Sequence, residues 1–155
     1  MAAPITRDYF AELYVAGLFG DSGWSVYFPK RDVGFDFIVT KSIDGHVLLR
    51  PVQVKGLYPT SAKTDKRYYG YDGMLTAVHP QLVLVLPYFR FDNHHYPEQI
   101  AFMPFDRVKN LATGNFRCLP ARFEGGHARP RRDFADYFGR AGLSRIEFET
   151  WGCGA

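Results

Sequence analysis

The sequence predicts one α/β domain built on a mixed β-sheet, and three observations carry that expectation. Residues 6–19 space their apolar side chains as a helix does. Several later stretches are short, β-branched and aromatic, as strands are. Between those strands there are too few helical patterns for a doubly wound nucleotide fold, which needs a crossover helix after most strands. With 155 residues the chain has the size of a single domain, 1–155, able to bury a core without staples.

Taken in order, residues 6–19 form a predicted amphipathic helix with Thr6 as N-cap and Phe10, Leu13, Val15, Leu18 and Phe19 as its apolar set. Gly20-Asp21-Ser22-Gly23 ends it, and residues 24–28 read as the first strand, stopped by Pro29. Residues 35–40 and 47–55 are the arms of a hairpin around Ser42-Ile43-Asp44-Gly45. Residues 58–73 turn polar and glycine-bearing and predict a long loop or flap. Residues 82–86 are apolar on both faces, the pattern of a central strand covered above and below, with 100–103 as a short partner. Residues 106–111 read as one or two helical turns and 124–132 as a Gly, Pro and Arg-rich tail. Residues 133–138 read as a helix closed by Gly139 or Gly142.

A content of 17% aromatic residues argues against a disordered chain. Cys118 and Cys153 are far apart and in no paired spacing, so neither a disulfide framework nor a zinc knuckle is indicated. No apolar run approaches the length of a membrane span, and a soluble, cytoplasmic protein is the expectation. The formal charge of +3 is compatible with a polyanionic partner without requiring one.

Three residues have the chemistry that phosphodiester hydrolysis needs. A divalent cation such as Mg²⁺ takes hard oxygen ligands, and a fixed positive charge stabilises the developing negative charge. Asp36 and Gln53 offer oxygen and Lys55 offers the charge. On a strand, Gln53 and Lys55 share one face while Val52 and Val54 take the other. A hairpin turning within residues 42–46 places Asp36 on the adjacent strand, near Gln53.

This arrangement resembles the PD-(D/E)xK nuclease superfamily, in which an acid on one strand is followed by acid-x-Lys on the next and an N-terminal helix often adds a Glu. The matching stretches are Ala11-Glu12-Leu13, Gly34-Phe35-Asp36-Phe37-Ile38 and Val52-Gln53-Val54-Lys55-Gly56, within the first 60 residues or so. The separations of 24 residues from Glu12 to Asp36 and 19 from Asp36 to Lys55 suit its Holliday-junction-resolvase-like branch. The resemblance implies a restriction-endonuclease-like three-layer sandwich, its mixed central β-sheet flanked by helices. It implies Mg²⁺ or Mn²⁺ as cofactor, DNA as partner, and catalytic roles for Glu12, Asp36, Gln53 and Lys55. The metal ligands would be Glu12, Asp36, Gln53 and the Val54 carbonyl. Relatives often cut as dimers, so a homodimer is compatible with it. The departure is Gln53, a neutral amide where the pattern has an acid.

That departure keeps a second expectation open, a module of the same fold that holds nucleic acid or a protein without cutting. A third is a structural protein with no nucleic-acid role, favoured where the basic segments lie on a different face from Asp36. Lys63, Lys66 and Arg67 are candidate phosphate contacts, with Tyr68, Tyr69 or Tyr71 stacking on bases; Arg129, Arg131 and Arg132 are further phosphate candidates. For these, as for Glu12, Asp36 and Lys55, an ordinary solvated position is the competing account. His79, His94 and His95 have no ligand-spaced partners and are read as loop residues.

Overall fold

The computed structural model describes residues 8–59 and 68–152. Its elements are α1 (Asp8–Asp21), β1 (Ser25–Tyr27), β2 (Phe37–Ile43), β3 (His46–Val54), β4 (Tyr68–Gly73), β5 (Val83–Tyr88), β6 (Gln99–Pro104), β7 (Lys109–Asn110), β8 (Phe116–Glu124), β9 (His127–Pro130) and α2 (Gly139–Arg145). Thr6, the expected N-cap, lies outside the described residues.

Helix α1 buries Ala11, Val15, Ala16 and Phe19, the stripe that i, i+4 and i+8 spacing produces. Phe10 and Leu13, assigned to the apolar set from sequence, are 41% and 43% exposed. The alanines let the helix approach the sheet closely. Phe19 fills the space at its far end, meeting Trp24, Phe37 and Phe102 edge-on with ring centroids 6.0 Å away in each case.

The first sheet has the order β1-β2-β3-β5-β6, with β3 and β5 parallel and every other pair antiparallel. It is mixed, as expected, and β5 is buried along its whole length. Asp44 and Gly45 both have positive φ, 50° and 79°, so β2 and β3 join through the two-residue turn that suits the twist of a hairpin. That turn sets the register from Ile43↔His46 to Phe37↔Val52. Asp36, the next residue back, therefore arrives opposite Gln53.

The second sheet, β4-β8-β7 with β9 on β8, was not legible in sequence. Residues 68–73, expected within a flap, are a strand. The tail at 124–132 is half of a β8–β9 hairpin, and residues 106–111 hold a 3₁₀ turn (Phe105–Arg107) followed by β7. Residues 133–138 sit mainly in a second 3₁₀ segment, Arg132–Tyr137; Gly139, with φ 61°, begins α2 rather than closing a helix.

Strand alternation assigns the layers. Phe37, Val52 and Phe102 lie on the face of the first sheet that α1 covers, since Phe19 touches both phenylalanines. Ala101, Leu86 and Tyr88 lie on the other, where Tyr69 of β4 packs against Tyr88 with centroids 5.7 Å apart. Arg50 is buried on the α1 face and ties down the C-terminal segment through the carbonyls of Ile146 (3.2 Å) and Phe148 (3.0 Å). Thus α1 and the C-terminal segment cover one face of the first sheet, and a second sheet covers the other. Among the described residues no helix is long and apolar enough to cross a membrane.

Candidate functional site

At the end of the first sheet, α1, β2, β3 and β4 converge on a hollow of about 170 Å³ lined by Asp8, Glu12, Asp36, Val54, Lys55 and Tyr71. The backbone dictates how Asp36 enters it. The Lys55 N–H donates to the Val85 carbonyl at 2.9 Å, so the Val54 N–H turns the other way, toward β2. β2 has ended by then. The Asp36 carboxylate takes the place of the missing carbonyl, its Oδ2 accepting the Val54 N–H at 2.6 Å, while the Asp36 N–H donates to Val52 at 2.9 Å. The backbone bond fixes where the residue sits and the Val54 N–H fixes the direction of its carboxylate.

Glu12 reaches Asp36 from the helix and hydrogen-bonds to it. Burial, then the Asp36 charge, raises the Glu12 carboxyl to about 7, and burial raises that of Asp36 as well. The Asp36 charge and its hydrogen bond with Glu12 both favour the protonated form of Glu12. Lys55 acts in the opposite direction on both, and its Nζ stands 5.4 Å from the centre of the Tyr71 ring. The Tyr71 hydroxyl donates to the Met74 carbonyl, fixing the ring.

Of the residues singled out from sequence, Glu12, Asp36, Val54 and Lys55 come together here. Gln53 shares a face with Lys55, as strand alternation requires, but lies one step deeper. It is 5% exposed, outside the lining of the hollow, and its Oε1 has no hydrogen-bond partner. Tyr69 is corrected: it is 1% exposed and packs against Tyr88, Phe123 and Phe138, so it cannot stack on a base. Lys63, Lys66 and Arg67 lie outside the described residues. Arg129, Arg131 and Arg132 do gather, but around a different hollow.

Sequence reasoning missed Asp8, although its position four residues before Glu12 puts it on the same helix face, and it adds to the charge that raises Glu12. It treated Tyr71 only as a loop residue for base stacking. The role against Lys55 depends on β4 crossing the sheet end, which no local pattern announces.

The oxygen set suits a divalent cation. Mg²⁺ is commonly held by one or two carboxylates, with water and substrate phosphate completing the shell. Glu12 and Asp36 are two such groups, and the Val54 carbonyl shares their edge of β3. Among the described residues no cluster of three His, Cys, Asp or Glu forms a fuller cage.

A pH dependence follows. The native state binds the Glu12 proton more tightly than the unfolded chain, so the associated stability is complete below about pH 4.5 and is lost as pH rises through about 7. Glu12→Gln is expected to flatten that decline, leaving the variant more stable than the wild type at pH 8 and closer to it at pH 5. Urea unfolding at the two pH values measures this, and an unchanged decline in the variant rules out Glu12 as its source.

No protein-family model matches the chain, and neither a curated protein nor a solved structure matches it.

Proposed function

We propose that this chain is a divalent-cation-dependent endonuclease acting on DNA, of the PD-(D/E)xK kind, on a restriction-endonuclease-like core whose second helical layer is replaced by a sheet. The observation that supports it best is the meeting of Glu12, Asp36 and Lys55 around one hollow, with the Asp36 carboxylate held by the Val54 N–H.

Glu12 and Asp36 would hold the Mg²⁺ or Mn²⁺, joined by the Val54 carbonyl. The cation's contribution, when bound, is to polarise the phosphate and lower the pKa of water beside it. Asp36 is oriented in advance by Val54, so little reorganisation remains when substrate arrives. Lys55 places its ammonium where negative charge grows on the phosphate, and Tyr71 limits the directions that ammonium takes. Gln53 supplies no charge. Its unpartnered Oε1 sits on the Lys55 face behind the hollow, where it would accept a bond from water or an incoming group.

Gln53 also favours a second reading. A buried neutral amide outside the hollow leaves the site one negative charge short of the family pattern, as in a module that holds nucleic acid without cutting it. Incubating plasmid, linear and branched DNA with Mg²⁺ or Mn²⁺ separates the two. Wild type is expected to cut, and Lys55→Ala to cut about 10²-fold to 10³-fold more slowly while binding cation as before, the usual effect of losing one transition-state charge contact. Wild type that binds DNA but leaves all three substrates intact supports the binding module.

A further inference from the structure

We propose that Arg122, Arg129, Arg131 and Arg132 form a second site, for a phosphate group, on the outer face of the second sheet and separate from the carboxylate hollow. The proposal deepens the DNA reading and rests on it only for the polymer as one source of that phosphate.

The four arginines line a hollow of about 400 Å³ together with Glu124 and Asp133, so four positive and two negative side chains leave two positive charges in excess. The β8–β9 hairpin, turned at Gly125 and Gly126, sets Arg122 directly across from Arg129. Like charges in that position destabilise a sheet, so packing alone does not account for the pair. Glu124 answers Arg129 at 2.9 Å. Among the described residues no ion pair answers Arg122 or Arg132.

Arg131 is held before any ligand arrives. Its Nη1 donates to the Leu119 carbonyl at 3.0 Å, and its guanidinium stands 5.5 Å and 5.4 Å from the ring centres of Tyr68 and Phe134. A guanidinium whose plane is already fixed loses little freedom on binding, and its fork matches the paired oxygens of a phosphate.

Strand alternation separates this hollow from the first. On β4, Tyr68 and Asp72 pair with Arg122 and Arg117 and face outward; Tyr69 is buried and Tyr71, two residues on, faces inward toward Lys55. A strand lying in the carboxylate hollow reaches Arg122 only by rounding the second sheet. The arginines therefore meet a different phosphate, from a second nucleic-acid segment or from a free phosphate ester.

The test uses the full chain in EDTA, where no metal-dependent cutting occurs. Inorganic phosphate is titrated by calorimetry and a 20-base-pair duplex by fluorescence anisotropy over a range of salt, for wild type and Arg122→Gln/Arg132→Gln. Both arginines are exposed, and equal melting temperatures check that the double variant folds. The double variant is expected to weaken phosphate at least tenfold and to lower the salt slope for the duplex by roughly 1.8, two lost contacts at about 0.9 each. A loss confined to the duplex identifies the polymer backbone as the ligand, and one confined to phosphate identifies a free ester. A double variant indistinguishable from wild type with both ligands, or a wild type that binds neither, overturns the proposal. Failure to cut DNA with metal present overturns only the nuclease reading.

Discussion

Asp36→Ala is expected to lower metal-dependent DNA cleavage by at least about a thousandfold, because one side chain serves three purposes in the hollow. Under the proposed function it would contribute a carboxylate to the cation; it also accepts the Val54 N–H at 2.6 Å and receives the Glu12 hydrogen bond. Without Asp36, Glu12 loses the charge and the bond that, after burial, raise it most, so its carboxyl should fall back toward its ordinary value. A readout that needs no cleavage accompanies this. Cation bound only to the folded state stabilises it by about 2.7 kcal/mol at a concentration a hundredfold above Kd. In wild type that gain should be larger at pH 8, where Glu12 has lost its proton, than at pH 5; in Asp36→Ala it should vanish at both. Asp36→Asn separates the roles, since an amide oxygen still accepts from Val54 but brings no charge. It should recover the stability lost in the alanine variant without recovering cleavage. Cleavage undiminished in Asp36→Ala would place the chemistry outside this hollow.

The second large effect concerns Phe19, which is fully buried and meets Trp24, Phe37 and Phe102 at once. Phe19→Ala is expected to destabilise the fold by about 3–5 kcal/mol, the range for deleting a buried ring and leaving its cavity. Leu13→Ala, on the same helix but 43% exposed, should change stability by only about 0.5 kcal/mol. Urea unfolding of both variants tests the assignment of the buried stripe. A large loss in Leu13→Ala would mean that the exposed side of α1 is covered in solution. Phe37 lies next to Asp36, so the Phe19 variant should also loosen the approach of β2 to β3.

How far the sequence could be read depended on the range of the interactions that decide each element. The β2–β3 hairpin was legible because its signals are local: Asp44-Gly45 demands the positive φ values of a tight turn, and alternation then puts Gln53 and Lys55 on one face. The buried central strand was legible because β5 is apolar throughout. Asp36 and Lys55 could be nominated for the same reason, each flanking a strand with a strong local pattern, whereas Glu12 was named only through the family resemblance.

The second sheet could not be read that way. β4 carries Gly70, whose added Cβ would stand 2.0 Å from the Cys118 carbonyl oxygen, so the glycine that suggests a loop is there to let β8 pass close by. β8 mixes exposed Arg117, Arg122 and Glu124 with buried Cys118, Pro120 and Ala121, which resembles a polar tail until its partners are known. Tyr69 and Tyr71 look alike in sequence, yet one fills the core and the other faces Lys55.

The sequence by itself therefore determined the mixed sheet, its central strand, the β2–β3 hairpin and the candidate acid and lysine, since turn chemistry and strand period act over a few residues. Only the tertiary structure decided that Glu12 meets Asp36, that Gln53 lies behind the hollow and that the arginines face away from it. Those outcomes depend on contacts between residues far apart in the chain, which form when the helix and both sheets bury their apolar faces together.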